Sequence, residues 1–304
     1  MIVLYIGGAG RSGSTLIDMI LGNLPGFFSI GETRFFAEYL ARGDIACGCG
    51  CKLGTCDFWA GVKERLDSAS SIDFDQMTTI SKQLNRTRNL PRMVTRGVLG
   101  SPRGWKELVS DTEALYHAIW QMAESKVLVD ASKSPSQAFV LRSVPGIDLR
   151  ILHLVRDGRA VAYSWSKRRK QQPVVVGHKE DMPYRSAVRA MLAWAVENVF
   201  MARLSHATPY YTLMRYEDFV REPYSELGRA LEKLGFGNVD LEFLKEPTIS
   251  LSPTHGVGGN PIRFSKPAFS IAPDDEWHDR MSVIKRMCLG IMACPLLFRF
   301  GYRL

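Results

Sequence analysis

The feature that most constrains this chain is a glycine-rich turn between a short apolar run and an apolar, helix-like stretch. The run Ile2–Ile6 is typical of a buried strand, the turn covers Gly7–Gly13, and Leu16–Leu21 follows three nearby hydroxyl residues. Glycines let a backbone curl so that its N–H groups converge, and the N-terminus of a helix carries partial positive charge. The sequence therefore predicts a strand–turn–helix unit that binds phosphate or a group resembling it.

This turn satisfies two motifs that imply different ligands. The segment Gly8–Gly13 matches G-x-G-x-x-G, the dinucleotide fingerprint, and Glu32 lies about where that fingerprint places an acidic residue. The segment Gly8–Thr15 also matches the phosphate-binding loop, except that Ser14 replaces the lysine that contacts the β- and γ-phosphates. Arg11 supplies a cation three residues upstream of Ser14, which favours an anion other than a γ-phosphate. A turn that only connects strand and helix is the remaining alternative.

A second stretch, Asp148–Arg169, has the pattern of a buried strand that ends in a cation. Its run Leu149–Val155 is mostly apolar, Arg156 follows directly, and Ser164 comes eight residues later in a predicted helix. Arginine can clamp a phosphate through two parallel hydrogen bonds. Ligands of open α/β sheets bind outside the carboxyl ends of the strands. We therefore expect Arg156 and Ser164 to hold a second phosphate in the crevice that the glycine turn faces.

Three segments, in order and spacing, resemble the sulfotransferases that use 3′-phosphoadenosine 5′-phosphosulfate (PAPS). The segment Gly10–Thr15 resembles their 5′-phosphosulfate loop, and Leu154–Ser164 resembles their 3′-phosphate motif. The segment Arg215–Phe219 (RYEDF) resembles the R-Y-E-D-[LF] sequence that follows a core strand in that family. The resemblance extends over most of the chain, so it is far more specific than one motif alone.

Other segments are similar to a bacterial branch of that family, namely Cys47–Gly50, Cys56–Trp59 and His255–Phe264. The eukaryotic cytosolic branch has a lysine in the first loop and a histidine base, whereas this chain has Arg11 and no evident counterpart of the histidine. The resemblance implies a P-loop-like α/β fold, with a central parallel sheet and helices on both faces. We expect one sulfotransferase domain over residues 1–304, with an insert of helices and a cysteine loop at roughly 33–124.

The resemblance implies transfer of a sulfuryl group from PAPS to a hydroxyl or amine, with release of 3′-phosphoadenosine 5′-phosphate (PAP). The residues expected around the 5′-phosphosulfate are Gly10, Arg11, Ser12, Gly13, Ser14 and Thr15. Arg156 and Ser164 would hold the 3′-phosphate, and Tyr216 would contact the nucleotide. The late-loop residues expected to close over it are Gly258, Gly259, Asn260 and Arg263. A solvent-exposed surface position is the alternative for Arg263.

The residues predicted to take part in catalysis are Glu32, Arg11 and Lys133. Glu32 is the preferred base, because a partly buried carboxylate there could take the acceptor proton; capping of the next helix is its alternative. Lys133 follows a predicted strand and could stabilise the bridging oxygen, or it is an ordinary exposed lysine.

His153 is expected to be a hydrogen-bonded core residue, while His178 and His255 are reserve bases. No metal is required, because protein cations suffice for the smaller charge of this group.

Four of the six cysteines crowd into the segment Cys47–Cys56. Their spacing, C-x-C-x-C-x4-C, differs from the paired C-x2-C of structural zinc sites. The favoured interpretation is a glycine-rich lid or acceptor-side loop whose cysteines pack, anchored by Phe58 and Trp59. A metal or iron–sulfur site is the alternative, and a disulfide is disfavoured in a reducing cytosol. This loop and Gln171–Pro183 are expected to shape the acceptor pocket.

Charge and hydropathy exclude some classes of function. The net charge of +8 suits a polyanionic ligand. The basic residues are scattered apart from Lys167–Lys170 and show no arginine–aromatic pattern, so a nucleic-acid partner is disfavoured. The longest apolar stretch, near Cys288–Phe298, contains Pro295 and is too short to span a bilayer, and no secretion signal is evident. We expect a cytoplasmic enzyme with no integral membrane segment, which acts on a small-molecule, lipid or carbohydrate acceptor; its oligomeric state is left open.

Three rival functions remain at this point. An oxidoreductase that binds NAD or FAD fits the dinucleotide fingerprint but leaves Arg156 and Ser164 unexplained. A small-molecule kinase fits the phosphate-binding loop but lacks its lysine. A nucleotide-binding or iron–sulfur interaction protein could be built around Cys47–Cys56.

The pattern of apolar residues predicts strands that alternate with helices, and hence a parallel sheet. Between them it predicts a connection at Pro25–Ile30, a mobile surface loop at Gln171–Pro183 and irregular chain at 247–275. A long helix is predicted at Tyr184–Leu204, and a helical segment is predicted to begin near Glu276.

Overall fold

A computed structural model describes residues 1–69, 72–95, 100–167, 171–175, 178–181, 183–264 and 268–303. Its centre is a five-stranded sheet whose strands all run parallel, in the order β2-β3-β1-β4-β7. These strands are β1 (Ile2–Gly7), β2 (Phe27–Gly31), β3 (Val127–Lys133), β4 (Asp148–Val155) and β7 (Tyr211–Arg215). The first strand lies between the third and the fourth, whereas the classical dinucleotide-binding sheet places its second strand beside the first. The sheet order therefore disfavours the oxidoreductase.

Helices cover both faces of the sheet, as the sequence predicts. Among the described residues they are α1 (Ser14–Leu21), α2 (Phe36–Arg42), α3 (Asp57–Ala69), α4 (Phe74–Leu84), α5 (Leu90–Val94), α6 (Trp105–Ala123), α7 (Pro135–Leu141), α8 (Gly158–Ser166), α9 (Ala187–Arg203), α10 (Tyr216–Arg221), α11 (Pro223–Lys233), α12 (Glu276–Arg280) and α13 (Val283–Arg299). None of these helices combines the length and the apolar character needed to cross a bilayer.

The two faces are built by alternation along the strands. Leu4 and Ile6 of β1 belong to an apolar cluster with residues of α1, α10 and α11. Val3 and Tyr5 belong to a second cluster with residues of α3, α6 and α9. All four side chains are 0% exposed, which explains why the run reads as continuously apolar rather than alternating.

The helices between β2 and β3 correspond to the predicted insert at roughly 33–124. Its large side chains, Trp59, Tyr116 and Ile119, are fully buried in the same apolar cluster as Val3 and Tyr5 of the sheet. The described part of the insert therefore packs directly on one face of the sheet.

The segment predicted as a connection at Pro25–Ile30 is instead largely a strand of the central sheet. Strand β2 pairs in parallel with β3, and the Ser29 hydroxyl donates a hydrogen bond to Oδ2 of Asp18 in α1 at 2.9 Å. A polar residue in a short run obscures a strand pattern in the sequence. The sequence does not show that Ser29 has a buried carboxylate as its partner, because Asp18 meets Ser29 only when α1 packs against β2.

The segment predicted as a loop at Gln171–Pro183 contains an antiparallel pair, β5 (Gln171–Val175) and β6 (His178–Asp181). Proline is tolerated in such edge strands, so Pro173 does not prevent the pairing. The side chain of the reserve base His178 and most of the basic run Lys167–Lys170 lie outside the described residues.

The late part of the chain is mostly irregular, as predicted for 247–275. Two short strands, β8 (Ile249–Ser250) and β9 (Ala268–Phe269), pair there, and Pro261–Phe264 forms a 3-10 turn. The predicted helices follow, with α12 beginning at Glu276.

Candidate active site

The segments that follow the five strands of the central sheet meet around one cavity of about 570 Å³. Its lining residues include the glycine turn after β1, Glu32 after β2, Lys133 at the end of β3, Arg156 after β4 and Tyr216 after β7. In a parallel sheet the carboxyl ends of all strands lie at one edge. Residues more than 200 positions apart in the sequence, such as Gly8 and Tyr216, therefore line the same space.

The glycine turn presents the N-terminus of α1 to this cavity. Gly10, Arg11, Gly13, Ser14 and Thr15 all line it. Gly13 precedes the helix with φ 92, and no side chain caps the first turn. The N–H groups of Leu16 and Ile17 bond to Gly13 O, so those of Ser14 and Thr15 and the positive end of the helix dipole are available to an anion.

Two residues of the turn have constrained backbones. Gly13 lies in the left-handed region, and a Cβ there would come within 2.5 Å of the Tyr216 ring. Arg11 also has a positive φ of 71, which is unusual for a residue with a side chain. Its guanidinium lies 4.8 Å from the centre of the Trp165 ring. Burial lowers the pKa of Arg11 below its ordinary value, and the carboxylate of Glu32 partly opposes this effect.

Arg156 connects the glycine turn to the late segment. Its guanidinium donates hydrogen bonds to the backbone oxygens of Arg11 at 3.3 Å and Asp274 at 2.7 Å, and the Asp274 carboxylate lies 3.1 Å away. The same guanidinium lies 4.8 Å from the centre of the Tyr216 ring. Ser164 of α8 lines the cavity with it. The predicted second anion site is therefore a nearly buried arginine that already faces a carboxylate.

Glu32 and Lys133 form an ion pair at the edge of the cavity. Lys133 Nζ donates to Glu32 Oε1, and their side chains are 14% and 9% exposed, respectively. The Glu32 side chain makes no capping bond to the 3-10 turn that follows it. Lys133 is therefore not an ordinary exposed lysine. Glu32 occupies the N-cap position of that turn, but its side chain pairs with Lys133 instead of bonding to the turn.

The late loop contributes to two cavities. Gly259 and Asn260 line the large one, and the Asn260 N–H donates to Thr15 Oγ1 at 3.0 Å. Gly258 and Arg263 line a smaller cavity beside Thr15 and Glu32. This loop therefore packs against the glycine turn, but only part of it faces the large cavity.

Arg263 does not reach the large cavity. Its guanidinium donates to the backbone oxygens of Ala46 and Gly256, both at 2.8 Å, because the late loop folds onto the cysteine loop. It is also not the exposed arginine of the alternative interpretation. Ser12 of the predicted 5′-phosphosulfate site is likewise buried and absent from the lining of the large cavity.

Several charged residues of the cavity were not predicted from the sequence, namely Arg34, Arg185, Glu197 and Asp274. Glu197 lies on α9 between Trp194 and Met201, which are both buried. Burial raises the pKa of Glu197, while Arg185, Arg34, the Gly10 backbone and Lys133 act in the opposite direction. A carboxylate spaced three and four residues from core positions of a helix was the signal that could have revealed it.

The candidate histidines His153 and His255 have different surroundings. His153 is the predicted core residue, with Nδ1 2.6 Å from the Tyr211 hydroxyl and Nε2 2.8 Å from Asn198 Oδ1. Burial lowers the pKa of His153 to about 4. His255 lies against Cys47 and Cys56 rather than along the large cavity, so it is not placed to act as a base there. The cysteine loop does not line that cavity either.

No family model matches this chain, and no curated protein matches its sequence. Solved structures of sulfotransferases share its fold, among them the following two. A sulfotransferase domain from the curacin biosynthetic pathway is 17% identical with a TM-score of 0.55, and the match covers 99% of this chain and 98% of that domain. The sulfotransferase STF9 from Mycobacterium avium is 12% identical with a TM-score of 0.51, over 99% of this chain and 77% of STF9. The chain thus has the P-loop-like α/β fold found in sulfotransferases.

Proposed function

We propose that this protein transfers a sulfuryl group from PAPS to a hydroxyl or amine acceptor and releases PAP. The observation that carries the proposal is that two groups of residues able to bind anions line one cavity. The N-terminus of α1 with Ser14 and Thr15 forms one, and Arg156 with Ser164 forms the other. A nucleotide with phosphates at both its 5′ and 3′ positions matches two such sites. The fold and the three ordered motifs support the same donor.

In this proposal the donor binds across the carboxyl ends of β1 and β4. The backbone of the glycine turn, the two hydroxyls and Arg11 hold the 5′-phosphosulfate, while Arg156 and Ser164 hold the 3′-phosphate. Tyr216 packs between these groups, since it borders both Gly13 and Arg156. Asn260 orients Thr15 through its N–H. Residues 1–304 act as one catalytic domain.

The chemical step requires one bond to form and one to break. The acceptor oxygen or nitrogen bonds to sulfur, the bond between sulfur and the bridging oxygen breaks, and that oxygen leaves as part of PAP. Glu32 takes the acceptor proton. Lys133 stabilises the negative charge that develops on the bridging oxygen, and Arg11 neutralises the phosphosulfate. The ion pair supports this assignment, because it fixes the base and the cation next to each other at the cavity.

The acceptor then occupies the part of the cavity that the donor leaves free. Phe35 and Tyr39 form a stacked pair there, with ring centres 5.3 Å apart. Arg34, Arg185 and Glu197 add charged groups. Stacked rings beside hydrogen-bonding groups suit a sugar or an aromatic acceptor, and we propose that the acceptor belongs to one of these classes.

Titration calorimetry with PAP tests donor binding. We expect PAP to bind and ADP, which lacks the 3′-phosphate, to bind more weakly. Arg156→Ala should weaken PAP binding by roughly 30-fold or more, because it removes a nearly buried charged partner. Arg221→Ala is the control, since Arg221 is 70% exposed at the surface. Equal affinity for PAP and ADP would contradict the proposal.

Transfer of labelled sulfate from PAPS to a panel of sugars, phenols, lipids and amines tests the activity itself. We expect a labelled product with at least one hydroxyl or amine class and none from ATP with magnesium. Phosphate transfer from ATP would favour the kinase instead.

A further inference from the structure

A cluster of three cysteines and one histidine lies outside the large cavity. Cys47 and Cys49 belong to the cysteine loop, Cys56 ends that loop just before α3, and His255 comes from the late segment about 200 residues later. Their sulfur and nitrogen atoms all lie within 4.8 Å of one another. Cys51, in the same loop, is exposed and does not belong to the cluster.

Three of the six separations between these atoms are close to the edges of a tetrahedral metal site. Zinc bonds of about 2.3 Å to sulfur and about 2.0 Å to nitrogen give tetrahedral edges of about 3.8 Å for two sulfurs and about 3.5 Å for sulfur and nitrogen. The observed separations are 3.7 Å between the sulfurs of Cys49 and Cys56, and 3.3 and 3.8 Å from His255 Nδ1 to the sulfurs of Cys56 and Cys47. The four atoms therefore surround a space of the right size for one ion.

The surrounding residues hold the histidine in this position. The Trp59 indole N–H donates to the backbone oxygen of His255 at 2.7 Å, and the imidazole stacks on Phe58 with ring centres 5.2 Å apart. The Gly48 N–H donates to Gly256 O at 3.0 Å, which joins the two segments next to the cluster. Aromatic residues around the ligands and a fixed orientation of the histidine ring are typical of metal sites in proteins.

We propose that Cys47, Cys49, Cys56 and His255 bind one Zn²⁺ ion in a closed, structural site. Three thiolates and one imidazole in tetrahedral arrangement favour zinc among the common metals, and four protein ligands leave no position for a substrate. The sequence does not reveal this site, because the cysteine spacing is irregular and the fourth ligand comes from a distant segment.

The position of the site suggests what the zinc stabilises. Val257 bridges to Cys47 on one side and to Gly31 on the other, and its backbone oxygen accepts the Glu32 N–H at 2.6 Å. The same segment continues to Asn260, which binds Thr15. Zinc would thus attach the late loop to the cysteine loop and keep the backbone of the proposed base in place.

Metal analysis of the purified full-length chain tests this directly and does not depend on sulfotransferase activity. We expect one zinc ion per chain in protein grown with zinc and purified without chelator. Cys49→Ser and His255→Asn should lose most of the zinc, whereas Cys51→Ser, the matched control in the same loop, should retain it. Zinc retained equally in all three variants would overturn the proposal.

A second measurement covers the case in which these variants do not fold. Metal-free wild-type protein titrated with Co²⁺ should develop the strong visible bands of cobalt bound tetrahedrally by thiolates, and Zn²⁺ should abolish them. No bands, or iron with acid-labile sulfide in the purified protein, would contradict a zinc site. A disulfide between Cys49 and Cys56 found by mass spectrometry under reducing purification would contradict it as well.

Discussion

Two of the carboxylates that line the large cavity, Glu32 and Glu197, have different surroundings. Glu32 is held by Lys133, whereas burial raises the pKa of Glu197. If Glu32 is the base, Glu32→Gln should lower kcat by about 10²–10⁴-fold while PAP affinity changes little. Glu197→Gln is the matched control and should keep kcat within about tenfold. Turnover and PAP calorimetry on both variants measure this, and a larger loss of kcat in Glu197→Gln would transfer the role of base to Glu197.

The Asp274 carboxylate competes with the proposed ligand for Arg156. Its carboxylate lies 3.1 Å from the Arg156 guanidinium, where the 3′-phosphate is proposed to bind. Asp274→Asn should therefore tighten PAP binding by about two- to fivefold, since the ion pair between the buried Arg156 and the half-exposed Asp274 carboxylate no longer has to be broken. The affinity for ADP should change less. Weaker PAP binding in the variant would show instead that Asp274 supports the site.

At the level of elements, the β1–turn–α1 unit shows what a sequence predicts well. All its determinants lie within twenty residues, so the glycines, the hydroxyls and the apolar helix face can be read together. The same holds for Arg156, which directly follows an apolar strand. Neither Arg263 nor His255 could be placed in this way, because their partners, Ala46 and Cys56, are about 200 residues away and come close only in the folded chain.

The turn before α1 gives a sharp prediction for Gly13. A Cβ at this position would lie 2.5 Å from the Tyr216 ring and would strain a backbone with φ 92. Gly13→Ala should therefore displace Tyr216 or the turn and weaken PAP binding by tenfold or more, with Tm lowered by a few degrees. Gly43→Ala is the control, because Gly43 has a similar φ of 71 and open space around it. Gly43→Ala should lower Tm but leave PAP affinity intact, so calorimetry and thermal melting together separate backbone strain from loss of the site.

On the scale of the whole molecule, stability should depend on pH through groups buried beneath the site. Burial raises the pKa of Asp18 to about 7, although the Ser29 hydroxyl bond opposes the shift. The unfolded chain has an ordinary carboxyl pKa near 3.9. The folded state therefore binds the Asp18 proton more tightly than the unfolded chain does. The stability that this proton contributes is lost as pH rises towards 7. His153 acts in the opposite direction: burial lowers its pKa to about 4, so its contribution is lost as pH falls below about 6.5.

Asp18→Asn isolates the first of these effects. The amide can still accept the Ser29 hydrogen bond but carries no charge at any pH. Relative to the wild type, the variant should gain stability between pH 5 and pH 8, by up to about 3 kcal/mol, since one pKa unit corresponds to about 1.4 kcal/mol. Denaturant unfolding of both proteins at the two pH values measures the difference, and His153 contributes equally to each. A stability difference that stays constant from pH 5 to pH 8 would mean that Asp18 is already ionised at pH 5 in the folded protein.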